Sequence, residues 1–274
     1  MKNYKYKILV LSDLKNTADT MLKSTISLAK MIDGEIDFLC VKKPSEIVKK
    51  ENQLSAMRVI NEEHFTAKKE ILNLIKPVSE AYSIKINHTL SYGNVKSEIG
   101  KYIKEHQPDI IVLGKRKSKG FNLLGDNITQ FVLNNHAGTI MISTNKNALE
   151  PDKKLSLGIL NDIKETSNLE FTKNLLENTH KPLKSFKLVK NSNEKNQVSL
   201  NDMETVEYVF EENDNAIKNI SNYLSKSNIN LLCIDRENEK NKNSKHVLKS
   251  DINNLINNFN VSLLLTNGHQ LKLK

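Results

Sequence analysis

Short apolar runs alternate with longer amphipathic segments along the first half of the chain. The runs at 7–11 and 110–113 are continuous and lack polar alternation, as is typical of parallel strands covered on both faces. Two further strands are predicted at 36–41 and 84–90. The segments between them carry apolar residues at helical spacing, and they lie at 17–32, after Pro44 and after Gly93. Gly34 is expected to stop the first helix and Pro77 to interrupt the second. This alternation predicts an α/β fold with a doubly wound parallel sheet and right-handed crossovers.

A glycine-bracketed basic loop follows the fourth strand. Gly114 ends that strand, and Lys115 to Lys119 lie between it and Gly120. Gly125 opens a further helix, whose first turn presents free backbone N–H groups. A basic loop before a helix N-terminus is a plausible cradle for an anion or a phosphate.

The second half repeats the first. SDLKNT at 12–17 recurs as NDIKET at 161–166, and DIIVLGKRK at 109–117 recurs as NLLCIDREN at 230–238. QFVLNNHAGTIMIS at 130–143 recurs as NLINNFNVSLLLT at 254–266. Three segments in the same order indicate a tandem duplication. Asp235 replaces Gly114 in the repeat, so we expect the second half to lack a phosphate cradle.

The order of strand, glycine loop, helix and strand resembles the C-terminal signature of the universal stress protein (UspA-like) family. Its nucleotide-binding members carry G-x2-G-x9-G-[ST]. This chain keeps Gly114 and Gly125, but Lys117 replaces the second glycine, the loop is two residues shorter, and Asp126 replaces the hydroxyl residue. The family match is therefore good and the match to its ATP site is poor.

The resemblance implies a tandem arrangement of two domains, at 1–147 and 153–274. Each would hold a Rossmann-like parallel sheet similar to those of the adenine nucleotide alpha hydrolases, and the second would be degenerate. Family members commonly pair through their last strands, so Thr139–Ser143 and Val261–Leu265 are expected to form an intramolecular pseudo-dimer. Pairing would also remove an exposed sheet edge from each half.

The resemblance also implies an adenine nucleotide, such as ATP with magnesium, as the ligand of the first half. The positions that match the family's site or its flanks are Ser12, Asp13, Val41, Leu113, Gly114, Arg116, Lys117, Gly125, Asp126 and Asn127. Some of these residues also have a purely structural explanation that needs no ligand. Asp13 is also a turn-former that would cap the first helix, Val41 a core residue, and Gly114 a strand-end turn. Asp126 would repel a phosphate at the helix N-terminus.

Two functional hypotheses therefore remain open. In one, the first half is a nucleotide-responsive regulatory module; in the other, the protein is a ligand-independent stress-response scaffold that acts through protein partners. We expect no enzyme, since the chain has no G-x-S-x-G, Walker A or histidine metal motif, although slow ATP hydrolysis stays open. Neither the protein partners nor the association of two whole chains can be read from the sequence.

Charge and composition exclude further classes of partner and location. The formal net charge is +9, but the lysines are spread along the chain and tryptophan is absent, so a nucleic-acid partner is not expected. No segment has the length of a membrane span, and no leader precedes the first strand, so we expect a cytoplasmic protein without membrane contact. Cys40 and Cys233 lie in apolar runs and are expected to be buried thiols. His136 is expected on the surface, between a helix and a strand.

Overall fold

The computed structural model describes residues 4–15, 17–44, 53–115, 128–161, 169–189, 204–236 and 252–266. Within these ranges the chain forms seven helices and ten strands. The helices are α1 (Ala18–Ile32), α2 (Gln53–Tyr82), α3 (Val95–His106), α4 (Ile128–Asn135), α5 (Leu169–Glu177), α6 (Ala216–Lys226) and α7 (Ile252–Asn258). The strands are β1 (Tyr6–Ser12), β2 (Gly34–Lys42), β3 (Ile86–Tyr92), β4 (Ile110–Gly114), β5 (Thr139–Ser143), β6 (Leu157–Leu160), β7 (Leu183–Val189), β8 (Thr205–Glu211), β9 (Leu231–Asp235) and β10 (Ser262–Thr266).

The strands form a single sheet in the order β3-β2-β1-β4-β5-β10-β9-β6-β7-β8. Every neighbouring pair is parallel except β5 and β10, which are antiparallel. The order 3-2-1-4-5 in the first half is mirrored by 10-9-6-7-8 in the second. The predicted doubly wound α/β fold is confirmed, and the two predicted sheets join into one.

The junction between the halves has the symmetry of a two-subunit interface. Met141 of β5 pairs with Leu264 of β10, and the two residues occupy equivalent positions in the repeat. In an isologous contact, a residue on the two-fold axis meets its own equivalent. A pseudo-two-fold axis therefore passes through this pair, and the predicted pairing of the last strands is confirmed.

Helices cover both faces of the sheet. One core contains side chains of α1, α2 and α5, and the other contains side chains of α3, α4, α6 and α7. Alternate residues of each central strand enter opposite cores: Val10 lies in the first and Leu11 in the second. Each core runs through both halves, so the halves share their buried apolar surface.

The segment between the halves is anchored in the first core. Leu149 and Leu155 are each only 1% exposed. The side chains of Ser24 and Ser27 in α1 donate hydrogen bonds to the carbonyls of Leu149 and Glu150, at 3.4 and 3.1 Å. This connector therefore packs on α1 as part of the structure.

Pro77 does not interrupt α2, contrary to the prediction. The helix continues to Tyr82, because Pro77 lies on the exposed side and removes one backbone hydrogen bond while Val78 stays buried. The next strand also begins later than predicted, at Ile86. The Ile84 N–H donates to the Ser79 carbonyl at 3.2 Å and so closes the end of α2.

Gly34 does not stop α1 either. Asp33 takes the left-handed conformation at the C-cap (φ 56°), and Gly34 already belongs to β2. A Cβ atom on Gly34 would lie 2.7 Å from the Ile8 Cδ1 atom. The glycine is therefore needed for close packing against β1.

Candidate functional site

The candidate site lies at the carboxyl ends of β1 and β4. β1 pairs with β2 on one side and with β4 on the other, so the strand order reverses between β1 and β4. In open α/β sheets, ligands bind in the crevice outside the strand ends at such a switch point. Ser12 and Gly114, the last residues of these two strands, both lie at this edge.

The turn after β1 is held by its own side chains. The Leu14 N–H donates to the Ser12 hydroxyl at 3.1 Å, and the Lys15 N–H donates to the Asp13 carboxylate at 3.3 Å. Leu14 has φ 61°, an uncommon value for a bulky residue. Backbone strain of this kind is concentrated at ligand sites and switches. Asp13 shapes this turn and does not cap α1, because the N-cap residue is Thr17.

Gly114 allows β4 to approach the start of α1. A Cβ atom on Gly114 would lie 3.0 Å from the Thr17 hydroxyl oxygen and 3.5 Å from the Met21 sulfur. The Thr17 side chain makes no capping hydrogen bond. The first turn of α1 thus begins beside Gly114, and Thr17 does not cap its backbone N–H groups, which is favourable for an anion.

Val41 and Leu113 contribute differently from the polar residues. Leu113 is 5% exposed and packs in the second core. Val41 is half-buried against the same core. The structure therefore gives Leu113 a packing role and leaves part of Val41 accessible near the strand ends.

Five of the ten candidate residues lie outside the described residues, and their positions stay predictions. They are Arg116, Lys117, Gly125, Asp126 and Asn127. The described part of the candidate site consists of Ser12, Asp13, Val41, Leu113 and Gly114.

Lys115, the first residue of the basic loop, belongs to the interface between the halves. Its ammonium group donates to the carbonyls of Phe259 and Asn257, at 2.6 and 3.2 Å. These carbonyls lie at the C-terminus of α7, where a cation is favourable. Burial lowers the pKa of Lys115. The basic loop predicts Lys115 in the anion cradle, but in the structure its ammonium group contacts the other half.

Arg236 makes the reciprocal contact. Arg236 occupies the position in the repeat that is equivalent to Lys115. The backbone N–H of Arg236 donates to the Thr266 carbonyl, and the backbone N–H of Lys115 donates to the equivalent carbonyl, that of Ser143. The Arg236 guanidinium donates to the carbonyls of the connection after α4, among them Ala137 at 3.3 Å and Gly138. Each half thus caps a helix C-terminus of the other.

His136 is buried in this interface and is not the surface residue that was expected. It is 7% exposed, and its carbonyl accepts from Arg236 at 3.4 Å. Burial and the neighbouring Arg236 charge lower the pKa of His136 to about 4. Phe259 is its equivalent in the repeat, which is the signal that could have revealed the burial.

The second half carries different groups at the equivalent strand ends. Asn161 stands where Ser12 stands in the first half; its N–H donates to Phe186 at 2.8 Å and its side chain accepts from Leu188 at 3.2 Å. Asp235 replaces Gly114 and is 7% exposed. A buried carboxylate at this position disfavours a phosphate.

A polar cluster at the ends of β2 and β3 was not found from the sequence. The Lys42 ammonium lies 3.3 Å from the Glu63 carboxylate, and the rings of Tyr92 and His64 lie 5.8 Å apart. Burial raises the pKa of the neighbouring Cys40 thiol to about 11, so this thiol stays protonated. Cys40 and Cys233 are both free and buried, as predicted.

Neither a metal cluster nor a membrane span is found in the described part of the chain. No three His, Cys, Asp or Glu side chains there are grouped to hold a metal ion. No helix within the same ranges is long and apolar enough to cross a membrane.

The fold defines a class: an α/β protein with two symmetric Rossmann-like halves, in which the strand order of the first half reverses between β1 and β4. The family model described as the universal stress protein family matches residues 5–141, which is half of the chain. The chain belongs to the universal stress protein family. Comparison with curated protein sequences finds no significant match.

Solved structures of the same fold cover both halves. A universal stress protein from Archaeoglobus fulgidus DSM 4304 is similar over 96% of each chain, with a TM-score of 0.70 and 14% sequence identity. A putative universal stress protein from Pseudomonas aeruginosa UCBPP-PA14 covers 96% of this chain, and 93% of its own length is matched, with a TM-score of 0.55 and 10% identity. At these identities the likeness shows the fold alone.

Proposed function

We propose that this universal stress protein is a regulatory module that binds one adenine nucleotide, such as ATP with magnesium, in its first half. The observation that carries the proposal is the meeting of three features at one switch point. They are the strained turn at Asp13 and Leu14, the close approach at Gly114, and the α1 N-terminus, where the Thr17 side chain makes no capping hydrogen bond. We also propose the domain bounds 1–147 and 153–274.

In this proposal the polar groups have separate tasks. The Asp13 carboxylate accepts a hydrogen bond from a ribose hydroxyl, and the phosphates face the first turn of α1 and the backbone at Gly114. Ser12 and the accessible part of Val41 line the nucleoside. Arg116 and Lys117 donate to phosphate oxygens, and the segment from Gly125 to Asn127 borders the phosphates.

The proposed role is regulation through partner affinity, without catalysis. A ligand shifts a conformational equilibrium only by its differential affinity for the two states. The turn at Leu14, with its unfavourable φ value, is an element whose conformation a ligand could bias.

One observation supports the ligand-independent scaffold as a second candidate. The contact between Gly114 and Thr17 accounts for the glycine by packing alone. Asp126, at the predicted start of the next helix, would repel a phosphate there. In this alternative the crevice is a relic and the whole chain serves as a binding surface for proteins.

Calorimetric titration distinguishes the two candidates. Protein that has been unfolded, freed of ligand and refolded is titrated with ATP and magnesium. We expect one site per chain and a loss of about tenfold or more in affinity in Asp13→Asn, which keeps the turn acceptor and removes the charge. Asp37→Asn makes the same change within β2, away from the strand ends, and is the matched control. This variant should bind ATP like the wild type. If natively folded protein shows no heat of binding with millimolar ATP, the ligand-independent scaffold is the correct function.

A further inference from the structure

The outer strand of the second half, β8, carries an unusual charge. Between Glu204 and Ile217 there are five carboxylates and no lysine or arginine, although the whole chain has a formal net charge of +9. The five are Glu204, Glu207, Glu211, Glu212 and Asp214.

β8 lies at the end of the sheet order and pairs only with β7 among the described strands. The Leu183 N–H donates to the Glu204 carbonyl, and the Glu212 N–H donates to the Val189 carbonyl, each at 2.9 Å. Residues 204 and 212 therefore point their backbone groups at β7, as do the even-numbered residues between them. The outward backbone groups belong to Thr205, Glu207, Val209 and Glu211.

The same alternate residues present an apolar side chain between two acids. Val209 is 56% exposed, and Glu207 and Glu211 are exposed on either side of it along one face. The even-numbered Tyr208 and Phe210 pack under α6 instead. The equivalent edge strand of the first half, β3, carries no acidic residue and has α2 packed against it.

A second copy of this chain is a poor occupant of this edge. An antiparallel pair of β8 strands centred on Val209 would place Glu207 opposite Glu211 of the other copy twice. Like charges directly opposite each other destabilise a strand pair, whereas opposite charges stabilise it. The Lys187 ammonium lies 2.9 Å from Glu207 and offsets one of the charges, but Glu211 has no such cation among its described contacts.

We propose that β8 is a docking edge for an extended basic peptide segment of a partner protein. The segment adds a strand to the sheet, places an aliphatic side chain beside Val209, and places lysine or arginine beside Glu211 and Glu207. Backbone hydrogen bonds provide the affinity and the alternating side chains provide the selectivity. The pattern recognised is basic, any residue, aliphatic, any residue, basic.

The test uses a fluorescein-labelled peptide of sequence Ser-Lys-Thr-Val-Thr-Lys-Ser and the full chain, with fluorescence anisotropy as the readout. We expect saturable binding, and a loss of about tenfold or more when both lysines of the peptide are replaced by glutamate. Two further peptides are N-methylated on alternate amides, one on each edge of the extended strand. Only one of them should lose binding, because only one edge faces β8.

Variants of the protein separate edge pairing from general charge attraction. Val209→Pro removes an outward N–H, which an edge strand tolerates, and Glu211→Lys reverses a charge; both should abolish binding. His88→Pro, on the edge strand β3 of the first half, is the matched control. The Gly93 N–H donates to the Lys42 carbonyl, so the odd-numbered residues of β3 direct their backbone groups toward β2. The His88 N–H therefore faces away from β2, as the Val209 N–H faces away from β7. The His88→Pro variant should bind like the wild type. Circular dichroism verifies the fold of each variant.

The proposal is overturned if both N-methylated peptides bind equally, or if Val209→Pro binds like the wild type. It is also overturned if no binding is seen at millimolar peptide. Analytical sedimentation of the chain without peptide tests whether a second copy of the chain binds at β8 instead. If the chain self-associates and Val209→Pro makes it monomeric, then the edge binds a second copy and not a basic peptide.

Discussion

At the scale of single residues, His136 shows how the pairing of the halves changes a side chain's chemistry. It occupies the position that Phe259 fills in the second half, and it lies beside the Arg236 guanidinium. Its pKa of about 4 is well below the ordinary value of 6.5. Above pH 6.5 the imidazole is neutral in both the folded and the unfolded chain. As the pH falls below that value, the unfolded chain binds a proton that the folded chain excludes, and stability falls.

The variant His136→Phe should therefore reduce the acid sensitivity of folding. Linkage predicts that His136 lowers the wild-type free energy of unfolding by about 2 kcal/mol between about pH 7.5 and about pH 5. Urea unfolding at the two pH values measures this difference, which should shrink by that amount in the variant. His180→Phe changes an exposed histidine and should leave the difference unchanged. An equal pH dependence in His136→Phe and the wild type would mean that His136 is not the responsible group.

The sequence holds the information on His136, but only through the repeat. Read alone, a histidine between a helix and a strand is a surface residue. Aligned with Phe259, it takes the place of a buried aromatic side chain. The charge of Arg236 beside it depends on contacts between the halves, which no local pattern encodes.

At the scale of elements, two helix ends are completed from the opposite half. Lys115 donates to the α7 C-terminus, and Arg236 donates to the connection that follows α4. Charge-assisted hydrogen bonds of this kind contribute more than neutral ones, and their removal leaves carbonyl oxygens unsatisfied.

Lys115→Met and Arg236→Met should each lower the free energy of unfolding by about 1–3 kcal/mol. Both variants should still unfold in a single transition, because the two cores run through both halves. Urea unfolding followed by circular dichroism measures both quantities. Lys101→Met, an exposed change on α3, should be neutral. Separate unfolding of the two halves in the wild type would contradict this account of the shared cores.

The existence and order of the first-half elements could be predicted, and their ends could not. The apolar periodicity of α1 and α2 depends on side chains that face the core, and it identified both helices. Their ends depend on backbone contacts instead. Asp33 took the left-handed conformation expected of Gly34, and Pro77 was accommodated on an exposed helix face.

At the scale of the whole molecule, the internal repeat was the most informative signal. It predicted two equivalent halves, and the resemblance to the family implied that their last strands pair. The structure places the Met141 and Leu264 pair on the pseudo-two-fold axis. The sequence did not predict that the connector is anchored in the core by Leu149 and Leu155, because an apolar residue within a polar segment has no periodicity.

The candidate site was predictable only in part. The resemblance to the family predicted Ser12, Asp13 and Gly114, which the structure brings to one edge of the sheet. The contribution of Thr17 and the redirection of Lys115 depend on packing between distant segments. The residues from Arg116 to Asn127 lie outside the described ranges, so their roles stay predictions.

The central claim, one nucleotide in the first half only, is tested most directly by nuclear magnetic resonance. Backbone amide signals of isotopically labelled protein are followed during titration with ATP and magnesium. We expect saturable shifts at Ser12, Asp13 and Gly114, and unchanged signals at the second-half counterparts Asn161 and Asp235. No saturable shift at the β1 and β4 ends with millimolar ATP, or equal shifts in both halves, would contradict the account.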